Sequence, residues 1–221
     1  MTTITLSPDL LQCCPNIHLG CIQSKVTILE EYPRLNQLIE ATTTDIASKL
    51  QTADIKDLPN IANSRTAYKK LGQDPSRYRL SAEALLRRVV SGKGIYHINN
   101  VVDLLNLVSM QSGYSIGGYD ADKIEGAAIF GVGELNEPYE AIGKGQFNIH
   151  KLPTFRDEQG AFGTPTSDSV RTMVRTDTQH FLMVLIDYAG SGDLKYWMQE
   201  TVNLLKEFAE GEDVETWVVL T

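Results

Sequence analysis

The stretch that decides the fold runs from Asn99 to Gly126 and reads NNVVDLLNLVSMQSGYSIGGYDADKIEG. Asn99 or Asn100 is suited to cap a helix, because a short polar side chain accepts a hydrogen bond from the free N–H groups of the first turn. Apolar residues then recur at helical spacing and share one face: Val101, Leu104, Leu105 and Val108. The stretch therefore predicts a helix that buries this face in the core.

Polar residues and glycines follow the predicted helix. Asn106 lies on the same face as Asn99 and Asp103, and such a stripe must find partners or form the wall of a pocket. A glycine-rich turn is expected from residue 113 to residue 119, with Gly117-Gly118 able to adopt positive φ.

The remaining pattern predicts an α+β protein. Ser81 is expected to cap a helix, and residues 17–28 are expected to form a strand. Residues 170–178 alternate in character and predict a strand, while His180 to Tyr188 is nearly all apolar and predicts a strand buried on both faces. We expect a single domain over residues 1–221, with a mixed, mostly antiparallel sheet and flanking helices.

Composition favours an ordinary globular protein of 221 residues, 42% hydrophobic and 22% charged. No apolar run approaches the roughly 18 residues of a membrane span, and the N-terminus does not resemble a signal peptide, so we expect no membrane association and a cytoplasmic location. Three clustered cysteines suit a reducing compartment. Zinc binding by Cys13, Cys14, His18 and Cys21 is a weaker alternative, because no second pair of ligands follows.

Charge is unevenly distributed. The net charge is −8, yet residues 65–93 carry eight basic and two acidic residues, a local +6 that leaves −14 for the remainder. A basic patch on an acidic protein can bind a few phosphates while the acidic bulk limits non-specific binding, so RNA is expected as a partner and DNA is not. The predicted RNA-binding residues are Lys69, Lys70, Arg77, Arg87, Arg88 and Lys93. A solvated helix face is an equally good interpretation.

The common catalytic motifs are absent, including the Walker loop, the His-Glu-x-x-His helix and the Gly-x-Ser-x-Gly elbow. A polar pocket remains, for which no metal and no cofactor is predicted. The candidate substrate-binding residues are Asn106, Gly117, Gly118, Tyr119, Asp120, Thr166, Ser167, Asp168 and Arg171. Such groups can bind an aminoacyl ester and position a water. Alternatively, Asp120 caps a turn and Ser167-Asp168 closes a loop.

A string of residues in this region carries a resemblance to a known family. It comprises Leu85-Leu86-Arg87-Arg88, Val101-Val102-Asp103 with Asn106, and Tyr119-Asp120 with Asp122, Ile124, Glu125 and Gly126. It resembles the tRNA-editing (B-three/B-four) domain of the phenylalanyl-tRNA synthetase beta subunit in a free-standing form, over about residues 63–189. The resemblance implies that family's fold and metal-free removal of a wrongly attached amino acid from tRNA. Aminoacylation is not predicted.

The resemblance also bears on the catalytic residues. The family uses a histidine just before the aromatic-Asp pair and a glutamate in a later buried strand; Gly117 stands at the first position and Asp187 at the second. Asp187 is therefore the predicted catalytic residue. The leading hypothesis is hydrolysis of mischarged aminoacyl-tRNA in trans. The alternatives are a non-catalytic RNA- or tRNA-binding module and an amino-acid-binding protein that has lost RNA binding.

Overall fold

The computed structural model describes residues 1–221, which fold into six α-helices and ten strands. The helices are α1 Pro8–Cys13, α2 Pro33–Lys49, α3 Pro59–Lys70, α4 Ser81–Val90, α5 Asn100–Ser112 and α6 Leu194–Phe208. The strands are β1 Ile4–Leu6, β2 His18–Lys25, β3 Ser115–Asp120, β4 Ala128–Val132, β5 Glu140–Ala141, β6 Gly145–Gln146, β7 Pro153–Asp157, β8 Gly160–Gly163, β9 His180–Asp187 and β10 Glu212–Val219. None of the helices combines the length and the apolar character needed to span a membrane.

The strands form two four-stranded sheets and one small hairpin, which confirms the α+β class. The central sheet has the order β10-β2-β9-β3 and is antiparallel throughout. The second sheet has the order β1-β4-β7-β8, in which only β1 and β4 pair in parallel. β5 and β6 form the hairpin. The predicted mixed, mostly antiparallel strands are thus divided between two sheets.

Strand β9 separates two hydrophobic cores, as its unbroken apolar run predicted. On one face, helices α2, α5 and α6 cover the side chains of Phe181, Met183 and Leu185. On the other face, the second sheet and α1 cover Leu182, Val184 and Ile186. We call these the helix face and the sheet face of the central sheet. Because side chains alternate along a strand, any residue of β9 can be assigned to one face.

Helix α5 begins and ends as its sequence predicted. The Asn99 side chain accepts a hydrogen bond from the Val102 N–H at 2.9 Å, and Gly113 ends the helix with φ 74°. Val101, Leu104, Leu105 and Val108 are all buried in the helix-face core.

The glycine-rich turn predicted from residue 113 to residue 119 is wrong, because most of it is strand β3. Neither Gly117 nor Gly118 adopts positive φ. Close packing explains both glycines. A Cβ at Gly117 would collide with the Tyr119 hydroxyl, and one at Gly118 would collide with the Leu105 side chain.

Two further local predictions need correction. Residues 170–178 form bends, irregular backbone and a turn rather than a strand. The Arg171 guanidinium is drawn into an ion pair with Asp157, and the Thr172 hydroxyl donates to the Phe162 carbonyl. Ser81 is the first residue of α4 rather than its cap, and its hydroxyl has no hydrogen-bond partner. Strands β1, β7 and β8 and helix α1 were not predicted, and residues 160–163 had been expected in a loop. All three strands are short and belong to the second sheet, and no local sequence pattern specifies how its strands pair.

Candidate functional site

Four buried tyrosines and the Asp168 carboxyl group form a cluster on the sheet face of the central sheet, in which Tyr119 and Tyr139 lie next to Asp168. We call Tyr68, Tyr119, Tyr139, Tyr188 and Asp168 the tyrosine cluster. They come from α3, β3, the start of the β5–β6 hairpin, the end of β9 and the loop after β8. That loop is bonded to two of the rings: Tyr68 Oη lies 3.0 Å from Thr166 Oγ1, and the Tyr139 hydroxyl donates to the Ser167 carbonyl at 2.6 Å.

The environment of the cluster shifts the pKa of the Asp168 carboxyl toward neutral pH. Burial raises its pKa from 3.8 to about 7. Tyr119 and the backbone N–H groups of Gly118 and Thr164 act in the opposite direction and only partly offset burial. Burial, and then the nearby Asp168 charge, in turn raise the pKa of the Tyr119 phenol. Asp168 therefore changes protonation state near neutral pH.

Several polar atoms of the cluster lack hydrogen-bond partners. Tyr119 Oη, Tyr188 Oη and Asp168 Oδ1 are three of the six buried side-chain atoms in the whole protein that have none. Tyr119 and Asp168 are thus close enough to perturb each other's pKa, but their facing atoms are not aligned as a hydrogen bond. Unpaired polar groups are costly to bury and are rare in folded proteins, so their concentration here makes this cluster the candidate functional site.

A positively charged groove lies on the surface next to the cluster. Its volume is about 470 Å³. We call it the basic groove; its lining includes Arg77, Arg79, Lys144, Phe147 and Thr166. Lys144 Nζ lies 3.5 Å from the Thr166 carbonyl oxygen, and burial lowers the pKa of the ammonium. Thr166 links the two features, since its hydroxyl contacts Tyr68 inside the cluster.

The structure brings most of the predicted substrate-binding residues together. Those in or beside the cluster are Gly117, Gly118, Tyr119, Thr166, Ser167 and Asp168. Asn106 lies apart, half-buried on α5, which packs against the opposite, helix face of the central sheet. The polar stripe on α5 is instead used structurally at Asp103, which accepts bonds from Tyr32, His97 and the Ile98 N–H.

Asp120 and Arg171 are occupied by structural bonds. The Asp120 carboxylate accepts from the Asp122 N–H and the Thr178 hydroxyl, as the turn-capping alternative predicted. The Arg171 guanidinium binds both oxygens of Asp157, at 3.0 and 2.8 Å. Burial raises the pKa of Asp157, but the bonds from Arg171 and from backbone N–H groups outweigh it, so the pKa is lowered overall.

Asp187, the predicted catalytic residue, lies away from the tyrosine cluster. Its carboxylate accepts from the N–H groups of Ala189, Gly190 and Ser191, at 2.8 to 3.0 Å, and from the Ser191 hydroxyl at 3.1 Å. It is only 1% exposed. By strand alternation it points to the helix face, whereas the cluster lies on the sheet face. These contacts favour a structural role in the turn between β9 and α6.

The predicted RNA-binding residues differ in their exposure and in their partners. Arg87 donates to the buried Glu83 at 2.9 Å, and Arg65 contacts the same carboxylate at 2.8 Å. Arg88 donates to backbone carbonyls of the following loop. The exposed members are Lys69, Lys70, Arg77 and Lys93, of which Arg77 lines the basic groove.

Sequence reasoning missed Tyr68, Tyr139, Tyr188 and Lys144. Each is a single residue in a different element, so no spacing connects them before the chain folds. The one usable signal was Tyr188, a polar aromatic at the end of an otherwise apolar strand.

The sequence from residue 63 to residue 189 matches the family model of the B3/4 domain. The chain belongs to the B3/4 domain family. No curated protein matches it. Among solved structures, the B3/4 chain is similar to an N-terminal fragment of the phenylalanyl-tRNA synthetase beta-subunit from Pyrococcus horikoshii, with 13% sequence identity and a TM-score of 0.48. That comparison covers 99% of this chain and 50% of the fragment, so the B3/4 chain spans half the length of that structure.

The members of the tyrosine cluster come from separate segments of the family match. Tyr119 neighbours Asp168 and Tyr188, and Tyr188 neighbours Tyr68, all between residues 63 and 189. All five members of the cluster are therefore contained within the B3/4 match.

Proposed function

We propose that this B3/4 protein hydrolyses the ester of mischarged aminoacyl-tRNA in trans, with the tyrosine cluster as its site and Asp168 as the general base. One observation carries the proposal: the Asp168 carboxyl, whose Oδ1 is buried and whose pKa is raised to about 7, stands beside an unpartnered tyrosine hydroxyl, that of Tyr119. A general base is most effective when its pKa lies near the working pH. The family membership supports the substrate class, and the proposed base replaces the Asp187 expected from the sequence.

The proposed step needs no metal or covalent enzyme intermediate. Ionised Asp168 takes a proton from water as the water oxygen adds to the ester carbonyl. The tetrahedral intermediate then collapses, the ribose oxygen leaves with a proton returned from Asp168, and the free amino acid is released. The Tyr119 hydroxyl has no partner of its own, so it is available to donate to the developing oxyanion.

The basic groove supports entry of a tRNA end. Arg77, Arg79 and Lys144 supply positive charge beside Thr166 on a chain whose net charge is −8. Phosphates of a single strand are attracted to such a groove, while the acidic remainder of the surface discourages long RNA contacts.

The Tyr119 side chain fills the space beside Gly117. The family histidine is absent there, and the Tyr119 phenol occupies the space into which a side chain at this position would extend. We infer that the hydroxyl of Tyr119 supplies a polar group in this space.

We further propose that residues 1–221 act as one unit in the cytoplasm. Strand β2 precedes the family match yet pairs with β9 along its whole length, so the two parts share one sheet. The three cysteines are free thiols, as suits a reducing compartment.

The test is incubation with a panel of charged tRNAs that includes non-protein amino acids. Deacylation above the buffer rate for at least one of them is expected, together with saturable, salt-sensitive tRNA binding. Binding without turnover would identify the non-catalytic alternative. Thermal stabilisation by a free amino acid without tRNA binding would identify an amino-acid-binding protein.

A further inference from the structure

The loop after α4 presents an exposed aromatic ring with a guanidinium against it. Tyr96 is 69% exposed, although it is a large aromatic side chain. The Arg88 guanidinium carbon lies 4.0 Å from the centre of the ring, and Arg88 Nη1 lies 3.4 Å from the Tyr96 hydroxyl. One face of the ring is thus covered by a cation, and the rest of it is open to solvent.

The loop that carries Tyr96 is held by a buried carboxylate. Asp103 is 0% exposed and accepts from His97 Nδ1 at 2.6 Å, from the Ile98 N–H at 3.0 Å and from the Tyr32 hydroxyl at 3.0 Å. Arg88 fixes the other side of the loop by donating to the carbonyls of Lys93 and Gly94. The loop is therefore pre-organised without being buried, a combination that limits the entropy lost on binding.

Two cations that form no ion pair belong to the same segment as this ring. They are Arg88 and Lys93, and no acidic residue intervenes between them and Tyr96, whereas Arg87 is paired with Glu83. Arg88 contacts only neutral partners, so its charge is not neutralised within the protein. Ile98, 62% exposed, adds an apolar surface next to the ring. An aromatic ring beside unpaired cations is the arrangement that binds single-stranded nucleic acid, with the base stacked on the ring and the phosphates near the charges.

We propose that the Arg88–Tyr96 pair, which we call the stacking platform, binds an unpaired base of RNA close to the 3′ end that enters the basic groove. This inference rests on the proposed function. The Ser81 N–H donates to the Pro165 carbonyl at 2.8 Å, so the start of α4 adjoins the loop that contains Thr166. Helix α4 has ten residues and is therefore about 15 Å long, and the stacking platform lies at its C-terminal end. About four stacked nucleotides span this distance from the start of α4 to the platform.

The test uses a short single-stranded RNA with 2-aminopurine four nucleotides from its 3′ end, titrated at low salt with the full chain. The wild-type protein is expected to quench the fluorescence as the analogue stacks. Tyr96→Ala should weaken binding by about 5- to 150-fold and remove the quenching, because it removes one base–aromatic stack. Tyr96→Phe keeps the ring and should stay within about threefold of wild type.

Tyr196→Ala is the matched control, because Tyr196 is also an exposed tyrosine, 59% accessible, but lies on α6, a helix that carries neither Arg88 nor Lys93. It should bind as the wild type does, and thermal melts should show all variants folded. Equal RNA binding by Tyr96→Ala and wild type would refute the stacking platform and would favour a protein as the partner of this surface. Deacylation of a charged tRNA by a wild-type protein that does not bind the oligonucleotide would also overturn the platform, yet would leave the proposed hydrolysis standing. Absence of both binding and deacylation would overturn both proposals.

Discussion

Replacing Asp168 by Asn should change how stability depends on pH, and the structure sets the size of the change. The carboxyl has a pKa of about 7 when folded against 3.8 as its ordinary value. Between these values the folded state holds a proton that the unfolded state has lost. The wild-type protein therefore becomes less stable as pH rises through this range, by up to about 1.4 kcal/mol per pH unit, and the dependence ends above pH 7.

Asn cannot ionise, so the variant lacks this dependence. Between pH 5 and pH 8, the free energy of unfolding of Asp168→Asn should rise relative to wild type by about 3 kcal/mol, two pH units of the dependence. Urea unfolding of both proteins at several pH values measures this difference. Glu140→Gln changes an exposed carboxylate next to Tyr139 and serves as the control. A constant difference between Asp168→Asn and wild type across the pH range would refute the raised pKa and the role derived from it.

Three other substitutions test the remaining contacts. Asp187→Asn should lower the free energy of unfolding by about 1–3 kcal/mol, because buried N–H groups lose a charged acceptor. The folded fraction should keep its deacylation rate. A lower rate with unchanged stability would instead support Asp187 as the catalytic residue. Arg87→Ala should destabilise by a similar amount because Glu83 is buried, whereas the exposed Lys93→Ala should not, as paired thermal melts will show. Gly117→Ala should cost about 1–3 kcal/mol in urea unfolding, since the added methyl overlaps the neighbouring tyrosine ring, and a neutral result would contradict this packing.

Sequence patterns predicted the elements whose signals are local. The N-terminal cap and apolar face of α5, and the apolar run of β9, each lie within one segment, and both elements were predicted correctly. The glycines of β3 led to the wrong prediction of a turn, because glycine permits two different things. It can adopt positive φ, and it lets neighbouring atoms approach the backbone closely. Only the position of the Tyr119 ring, set by tertiary packing, shows that the second use applies here.

The site was predicted only in part, for the same physical reason. Thr166, Ser167 and Asp168 stood out as a polar loop, but the raised pKa of Asp168 depends on burial by rings from distant segments. Asp187 stood out as a carboxylate after an apolar strand. Its four hydrogen-bond donors come from the following turn and the adjacent serine, and no pattern in the sequence indicated that they fold back on it.

The most direct measurement is the pH–rate profile of deacylation by wild type and Asp168→Asn, on a charged tRNA that the wild type hydrolyses, after subtraction of the uncatalysed rate. If ionised Asp168 is the base, the wild-type rate should rise about tenfold per pH unit below pH 7 and level off above it. Asp168→Asn should be slower by about a hundredfold or more and should lack the step near pH 7. A variant with the wild-type rate and profile would contradict the assignment of catalysis to the tyrosine cluster.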